Sequence, residues 1–505
     1  MLLALEKLRR SGFLSFKGLT GFVHAIHSEG SGPMALLHLA ARLHPERPAV
    51  RDEAGSTTCM ELLQSVRGLA VHLRDTEGLR AGDRVALLCR NRTRAVEAIF
   101  ALSRLGVDVH LWNVDMRPSQ LQDRLVEGRY ALVLGDPDVL DGFAGADRFR
   151  ARSLDDTRSG SSERDANREV LARCRPGRIV VATGGTSGKS RAVVRRPSLR
   201  AVLRPFLGLL ERLELDSCRA ALIVTPFYHG YGLAFLFVCL FLGVEVHLAR
   251  RFDSLAILER VRTHRIDAAI LVPLLLKRLW REDPATTGSL RFVLSGGARL
   301  DPDLAGQIGD VSGIRLFDLY GSTEAGFSIL SSPEDRKERP GTLGRAIPGV
   351  TASIRDHEGR PLVAGEVGRI CIESPWAMDN RDRAWVDTGD LARMDGDGFV
   401  FLVGRADDRI VSGGENVHPD DVERILETCP GVREAVVMGV DDAEFGQRLA
   451  AFVALCPGAD LDESRILSWL KPRVARYQLP VRVRVLAELP LTAIGKIDRA
   501  TLKSL

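Results

Sequence analysis

The chain of 505 residues has only eight cysteines, and none are close together: the nearest pair, Cys218 and Cys239, is 21 positions apart. Without a Cys-x-x-Cys pair, metal knuckles and thioredoxin-like chemistry are excluded, and a reduced, cytosolic chain is expected. Long apolar runs are also missing. The longest, Gly232 to Val244, has 13 residues and stops at Glu245, which is too short to span a bilayer. Leu2, Leu3, Leu5 and Leu8 are interrupted by Lys7, Arg9 and Arg10, so there is no continuous signal core and no small-residue cleavage site. A lead-in helix, packed or mobile, is expected there in preference to a surface-seeking segment. A charge excess is absent as well: the net charge is +4, which gives no support for a nucleic-acid partner. No internal repeat is found.

What is present is ordinary globular material, 45% hydrophobic and 27% charged, long enough for about three domain-sized units. Short β-rich runs alternate with helical patterns. Arg84–Leu88, Ala131–Leu134, Arg178–Ala182, Ala221–Thr225, Val244–Leu248, Ala268–Val272, Phe292–Leu294 and Arg315–Leu319 read as strands. Amphipathic patterns such as Ala95–Leu105, Leu255–Thr263 and Asp303–Ile308 read as helices. The alternation predicts an α/β fold of doubly wound, mostly parallel sheets, with ligands at the carboxyl ends of the strands. From Gly341 the texture shifts to short strands with Gly, Pro and Asp turns, a barrel-like β segment. After Gly404 a smaller α+β unit begins, with helices expected at Asp420–Glu427 and Asp462–Leu470 and strands at Ala435–Gly439, Ala450–Ala454 and Val481–Leu486. The expected division is therefore 1–404, a boundary at 405–408, and 409–505.

The 48 glycines exceed the usual share of about 7%, and a cluster of them comes directly after the strand RIVVA. Thr183, Gly184, Gly185, Thr186, Ser187, Gly188, Lys189, Ser190 and Arg191 combine the parts a phosphate cradle needs: glycines that let backbone N–H groups approach, hydroxyls that donate, and cations that neutralise. A Walker loop is excluded by spacing, because its first glycine falls on Thr183. The next residues exclude it too, because RAVVR is strand-like where a helix should open. A strand-loop-strand phosphate loop is expected instead.

Further segments occur in order: TPFYHGYG (Thr225 to Gly232), SGGA (Ser295 to Ala298), YGSTE (Tyr320 to Glu324), DTGD (Asp387 to Asp390), GRADDRIVSGGENVHPDDVE (Gly404 to Glu423) and LTAIGKIDR (Leu491 to Arg499). Together with the glycine loop this series resembles the adenylate-forming superfamily, and most of all its acyl- and aryl-CoA ligases, over roughly Leu36 to Leu505. The resemblance implies an ATP-dependent, acid-activating ligase. A carboxylate attacks the α-phosphate, pyrophosphate leaves, and the CoA thiol then displaces AMP; the implied cofactors are ATP, Mg²⁺ and CoA.

The same resemblance implies roles for single residues. Thr183 to Lys189 with Arg191 would bind phosphates, and Gly297, Ala298, Tyr320, Gly321 and Ser322 would line the nucleotide site, with Tyr320 stacking on adenine. Thr323 would reach the α-phosphate and Glu324 would hold Mg²⁺, which needs only one or two carboxylates beside phosphate oxygens and waters. Asp390 would accept the ribose hydroxyls and Arg405 would meet ribose or phosphate. His229 would sit beside the acyl pocket. Gly413 and Gly414 would line the path of the thiol, Lys496 would be the catalytic lysine of adenylation, and Asp407 would mark a hinge for a mobile C-terminal domain. Three departures stand out: Ser190-Arg191 where relatives carry Pro-Lys, a shortened loop between Glu373 and Asp387, and Gln478 where lysine is common. The alternatives within this reading are transfer to a carrier-protein thiol or an amine, and an idle nucleotide-binding scaffold. Retention of Lys496, Glu324 and Asp390 together argues against the scaffold. The bulk of Tyr228, Tyr231 and Phe327 hints at a short or flat acid. The oligomeric state is left open.

Overall fold

The computed structural model describes every residue except 1, 31, 117, 144–148, 158–170, 172–174, 183–191, 194–198, 323, 378–384, 407–409, 413–414, 418, 443–445 and 493–495. The chain forms two compact units, one of Met1–Thr351 with Glu373–Ala384 and one of Ala352–Ile372 with Trp385–Leu505.

The first unit is built on two sheets. In the larger, six strands run parallel in the order Arg315–Ser322, Phe292–Gly296, Ala268–Leu271, Ala220–Ile223, Glu245–Leu248 and Pro48–Asp52. Antiparallel strands close both edges, Gly326–Ser331 and Arg345–Ala346 on one side and Gly55–Thr58 on the other. Central strands such as Ala220–Ile223 and Ala268–Leu271 are buried at every position, so their sequences read as unbroken apolar runs, as covering both faces requires. The helices Ser254–His264, Pro273–Glu282 and Pro302–Ser312 cover one face through Ile257, Leu276 and Ile308 against Leu222, Leu271 and Leu316. The second sheet orders Ala151–Ser153, Leu132–Gly135, Arg84–Leu88, Asp108–Leu111 and Ile179–Ala182 in parallel. Ile179–Ala182 then pairs antiparallel with Ala192–Val193. Strands thus flank both ends of the glycine loop, as its sequence suggested, and Ala192–Val193 is a strand where a Walker loop would open a helix.

The second unit holds a four-stranded sheet, Thr351–Arg355, Val367–Glu373, Val386–Met394 and Val400–Arg405, and a five-stranded one. The long strands Val432–Asp442 and Gly446–Leu455 form the centre of the latter. The helices Pro419–Glu427 and Glu463–Leu470 contribute Val422, Leu426, Ile466 and Leu470 to its core, against Val437, Leu449, Ala451 and Val453. By compactness the chain divides at Thr351, whereas the sequence reading places the domain boundary at 405–408. Among the described residues no helix is long and apolar enough to cross a membrane, and the described cysteines are all free thiols.

Three helices precede the first sheet, and the first two of them are α1 (Leu2–Arg10) and α2 (Phe16–Glu29). Ser15 caps α2 by accepting from the Gly18 N–H at 3.0 Å, and Phe13 packs between Phe22 and Phe241 with ring centroids 5.2 and 5.5 Å away. The pair is fastened by charge. Lys7 Nζ lies 3.3 Å from Asp216, both buried, and donates to the Leu213 carbonyl. Glu29, 4% exposed at its side chain, meets Arg104 Nε and Arg67 at 2.6 Å and His38 at 3.1 Å. Burial alone would raise the Glu29 carboxyl, but the bonds from His38 and Arg67 and the charge of Arg67, with Arg104, outweigh it and hold the group at about 2, below its usual 4.5. A depressed carboxylate contributes stability above its unfolded value and loses it as pH falls through the folded one. Glu29→Ala, which takes the carboxylate away from buried Arg104, is expected to cost about 3 kcal/mol or more at neutral pH. The margin of wild type over Glu29→Ala should narrow as pH drops from 4.5 towards about 2, as urea denaturation at several pH values would show.

Candidate active site

Because the strands Ala220–Ile223, Phe292–Gly296 and Arg315–Ser322 run parallel in one sheet, the loops that leave their carboxyl ends share one edge. These loops carry TPFYHG, SGGA and GSTE, so three of the sequence-selected segments meet where α/β sheets bind ligands.

The innermost loop is a hairpin. Arg315–Ser322 pairs antiparallel with Gly326–Ser331, and the register shifts between Tyr320 and Gly321. A Cβ on Gly321 would come within 2.5 Å of the Gly326 carbonyl oxygen, so no other residue fits. Gly326 itself has φ +76°, a conformation that glycine adopts without strain. Ser322 Oγ accepts from the Ala325 N–H at 3.0 Å, which folds the turn and leaves Glu324 exposed; Tyr320 is half-buried. Thr323 lies outside the described residues. On the neighbouring strand a Cβ at Gly296 would meet the Leu319 carbonyl at 2.9 Å and the Tyr231 ring at 3.3 Å. Gly297 turns the chain with φ +82°, and Gly297 and Ala298 present their backbone to solvent. Tight glycine approaches beside an exposed edge form a cradle that suits the flat, polar outline of a nucleotide.

The third loop is held from a distance. Asn91, buried, donates from Nδ2 to the Thr225 carbonyl at 2.9 Å and accepts the Phe227 N–H at 3.0 Å. One side chain thus satisfies two backbone groups of the loop that ends in His229. The His229 N–H bonds the Pro226 carbonyl at 3.0 Å, and His229 stands at the N-cap of the apolar helix Gly230–Leu242. Gly232 permits the turn, since a Cβ there would lie 2.2 Å from the Thr225 carbonyl oxygen. Tyr228 is buried and its hydroxyl donates to Asp115 at 2.9 Å, which commits it to the loop's own support. Tyr231 donates to the Leu294 carbonyl at 2.9 Å and its ring stands 6.3 Å from that of Phe327. Phe327 in turn meets Trp376 edge-on at 5.8 Å.

Below Tyr320 lies an acid that no sequence motif marks. Asp318 is buried, in register with Ser295 on one side and Ser331 on the other. Burial pushes its carboxyl up to about 7 against the pull of the Arg336 charge and a bond from Ser295. Arg336 donates to the carbonyls of Leu316 and Ser331, tying the hairpin's two strands from beneath.

In the second unit Asp390 and Arg405 are register partners across the antiparallel strands Val386–Met394 and Val400–Arg405. Two residues chosen from separate motifs are therefore cross-strand neighbours. Lys496 is exposed on a backbone loop closed by Thr492, whose N–H donates to the Lys496 carbonyl at 2.6 Å and whose hydroxyl accepts the Lys496 N–H at 3.2 Å. Thr183 to Arg191, Asp407, Gly413 and Gly414 lie outside the described residues; the strands flanking Gly413 and Gly414 pair Ser412 with Glu415. Among the described residues no three His, Cys, Asp or Glu side chains gather to hold a metal. The exposed carboxylate of Glu324 instead fits a hard cation that arrives with phosphate oxygens already attached.

An α/β enzyme with a site at the carboxyl edge of a parallel sheet is what these features define. The AMP-binding enzyme family matches residues 37–380 and the AMP-binding enzyme C-terminal domain matches 421–496. The feruloyl-CoA synthase of Amycolatopsis is 30% identical over 486 residues, covering 90% of this chain and 95% of that protein. The 2-succinylbenzoate–CoA ligase of Bacillus licheniformis is 29% identical over 472 residues, covering 91% and 97%. The crystal structure of ATP-bound MatB from Rhodopseudomonas palustris superposes with a TM-score of 0.77 at 28% identity, covering 91% of this chain and 95% of that one. The chain belongs to the AMP-binding enzyme family and is an adenylate-forming ligase of the acyl- and aryl-CoA synthetase type.

Asn91→Ala strands the Thr225 carbonyl and the Phe227 N–H in a buried setting, at about 1–3 kcal/mol for each group. Hydrogen exchange at the Phe227 amide should accelerate strongly in this variant; unchanged protection would show that the loop holds itself.

Proposed function

We propose that the chain activates a small carboxylic acid with ATP and Mg²⁺, releases pyrophosphate, and transfers the acyl group to the thiol of CoA. The observation that carries this reading is the meeting of the Tyr320–Glu324 hairpin, the Gly297–Ala298 turn and the His229 loop at one sheet edge. That edge offers a half-buried aromatic for a base, exposed backbone for polar groups and a lone carboxylate for a cation. The relatives named as CoA ligases support the thiol as acceptor.

In the first step an oxygen of the acid attacks the α-phosphorus, the bond to the bridging oxygen breaks, and pyrophosphate departs with its electrons. Negative charge grows on the α-phosphate, and Lys496 and Thr323 stabilise it there. Thr183, Gly184, Gly185, Thr186, Ser187, Gly188, Lys189 and Arg191 hold the departing phosphates; arginine at 191 keeps the charge that relatives supply by lysine and adds a bidentate fork. Tyr320 stacks on adenine beside Gly321 and Ser322, and Gly297 and Ala298 line the nucleotide. Asp390 and Arg405, paired across their strands, take ribose. Glu324 holds the Mg²⁺, which supplies charge neutralisation on the phosphates when bound. His229, fixed by Asn91 through its loop, orients the carboxylate. In the second step the thiolate attacks the acyl carbon and AMP leaves, with Gly413 and Gly414 lining the thiol's path and 405–408 serving as the hinge between steps.

The acid lies within reach of Tyr231, Phe327 and Trp376. Their interlocked rings leave a wall suited to a short or flat acid rather than a long fatty chain.

Pyrophosphate exchange screened over an acid library identifies the acid, and Lys496→Ala then tests the assignment. Exchange should fall by the equivalent of about 2.7–4 kcal/mol, the worth of one preorganised oxyanion donor, while thioester formation from supplied acyl adenylate is largely spared. Equal losses in both half-reactions would remove Lys496 from this role.

A further inference from the structure

The helices α1 and α2 bury two charged side chains, Lys7 against Asp216 and Glu29 against Arg104 and Arg67, and leave several large apolar ones in solvent. Phe16 is 85% exposed, Val23 68% and Leu19 47%. At positions 16, 19 and 23 they keep the i, i+3, i+7 spacing that lines one face of a helix. Leu3, Leu5 and Leu14 are exposed as well. Among the described residues, six of the fifteen large hydrophobic side chains left exposed fall before position 24. Phe16, Leu19 and Val23 share one face of α2, which sets them apart from the singly exposed hydrophobics scattered over any protein surface.

The patch is not a loose end that folding failed to bury. Phe13 and Phe22 already occupy the inner side against Phe241, and Ser15 caps the helix, so the orientation that exposes Phe16 and Val23 is set by packing and by buried ion pairs. Gly21 adds to this, because it lets the Arg42 side chain lie close across α2. The exposed cations of α1 and α2 are Arg9, Arg10 and Lys17, and the acid on α1, Glu6, is paired with Arg10. Residues 2–29 precede the stretch matched by the AMP-binding family, which starts at 37.

An apolar stripe on a short helix, in a two-helix segment whose exposed charges are mostly cationic, has the complement of an acidic phospholipid surface: acyl chains take the apolar side chains and headgroups take the cations. We infer that α1 and α2 form a docking surface by which the chain binds reversibly to the interface of an anionic bilayer, without spanning it. The inference stands apart from the proposed reaction, since none of its residues belongs to the site.

The test uses the whole chain and sucrose-loaded vesicles of phosphatidylcholine, alone or with about one third phosphatidylglycerol. The chain should sediment with the anionic vesicles, less with neutral ones, and less again in high salt, which screens the cations. The double variant Phe16→Glu, Val23→Glu should lose at least roughly tenfold in partitioning while its thermal unfolding matches wild type, because both side chains are solvent-exposed. Wild type left in the supernatant with both vesicle types would overturn the inference, as would a double variant that sediments as well as wild type. A dimeric wild type and a monomeric variant, neither binding vesicles, would also overturn it and make the patch a contact between copies of this chain.

Discussion

Everything at the candidate site depends on how closely two strands approach each other at Gly321. The carbonyl of Gly326 occupies the space that a side chain there would need, so the hairpin between Arg315–Ser322 and Gly326–Ser331 closes tightly. It shifts register beside Tyr320 and projects Ser322 and Glu324 past the end of the sheet. Beneath that closure, Arg336 holds the backbone of both strands and Asp318 sits in a row of buried serines. A polar row in the middle of an apolar sheet is costly unless its members are bonded to one another.

A second constraint acts from outside the sheet. The loop bearing His229 contributes few of its own bonds and relies on Asn91, which belongs to the other sheet's connection 134 positions earlier in sequence. The large sheet therefore supplies the hairpin and the glycine turn, while the small sheet supplies the clamp on the third loop. Neither sheet alone would assemble the edge, and this gives the first unit a functional reason to be one compact body. Within the second unit, Asp390 and Arg405 lie opposite each other by strand register, and Lys496 sits at the surface on a bonded loop.

Strands with continuous β-rich runs were legible from sequence. The eight chosen in the first unit all form, within three residues at each end, because a buried parallel strand has no polar positions to blur its pattern. Gly321 and Gly297 were legible as motif glycines, and close backbone approach and a positive φ favour glycine there. Asn91, Asp318 and Glu29 were not. Their importance comes from partners that are distant in sequence, such as Thr225 for Asn91 and Arg104 for Glu29, and no local periodicity announces a contact of that kind. The orientation of α2 was hidden for the same reason, since only the packing of Phe13 and Phe22 on Phe241 decides which of its faces meets solvent.

The central claim is that a carboxylate oxygen becomes bonded to the α-phosphorus of ATP. An acid that supports turnover, labelled with ¹⁸O in its carboxylate, tests this directly when the products are analysed by mass spectrometry. One labelled oxygen should appear in AMP, because the thiol breaks the acyl carbon–oxygen bond and leaves that oxygen on phosphorus. Label in orthophosphate together with ADP, or unlabelled AMP, would contradict an acyl-adenylate route.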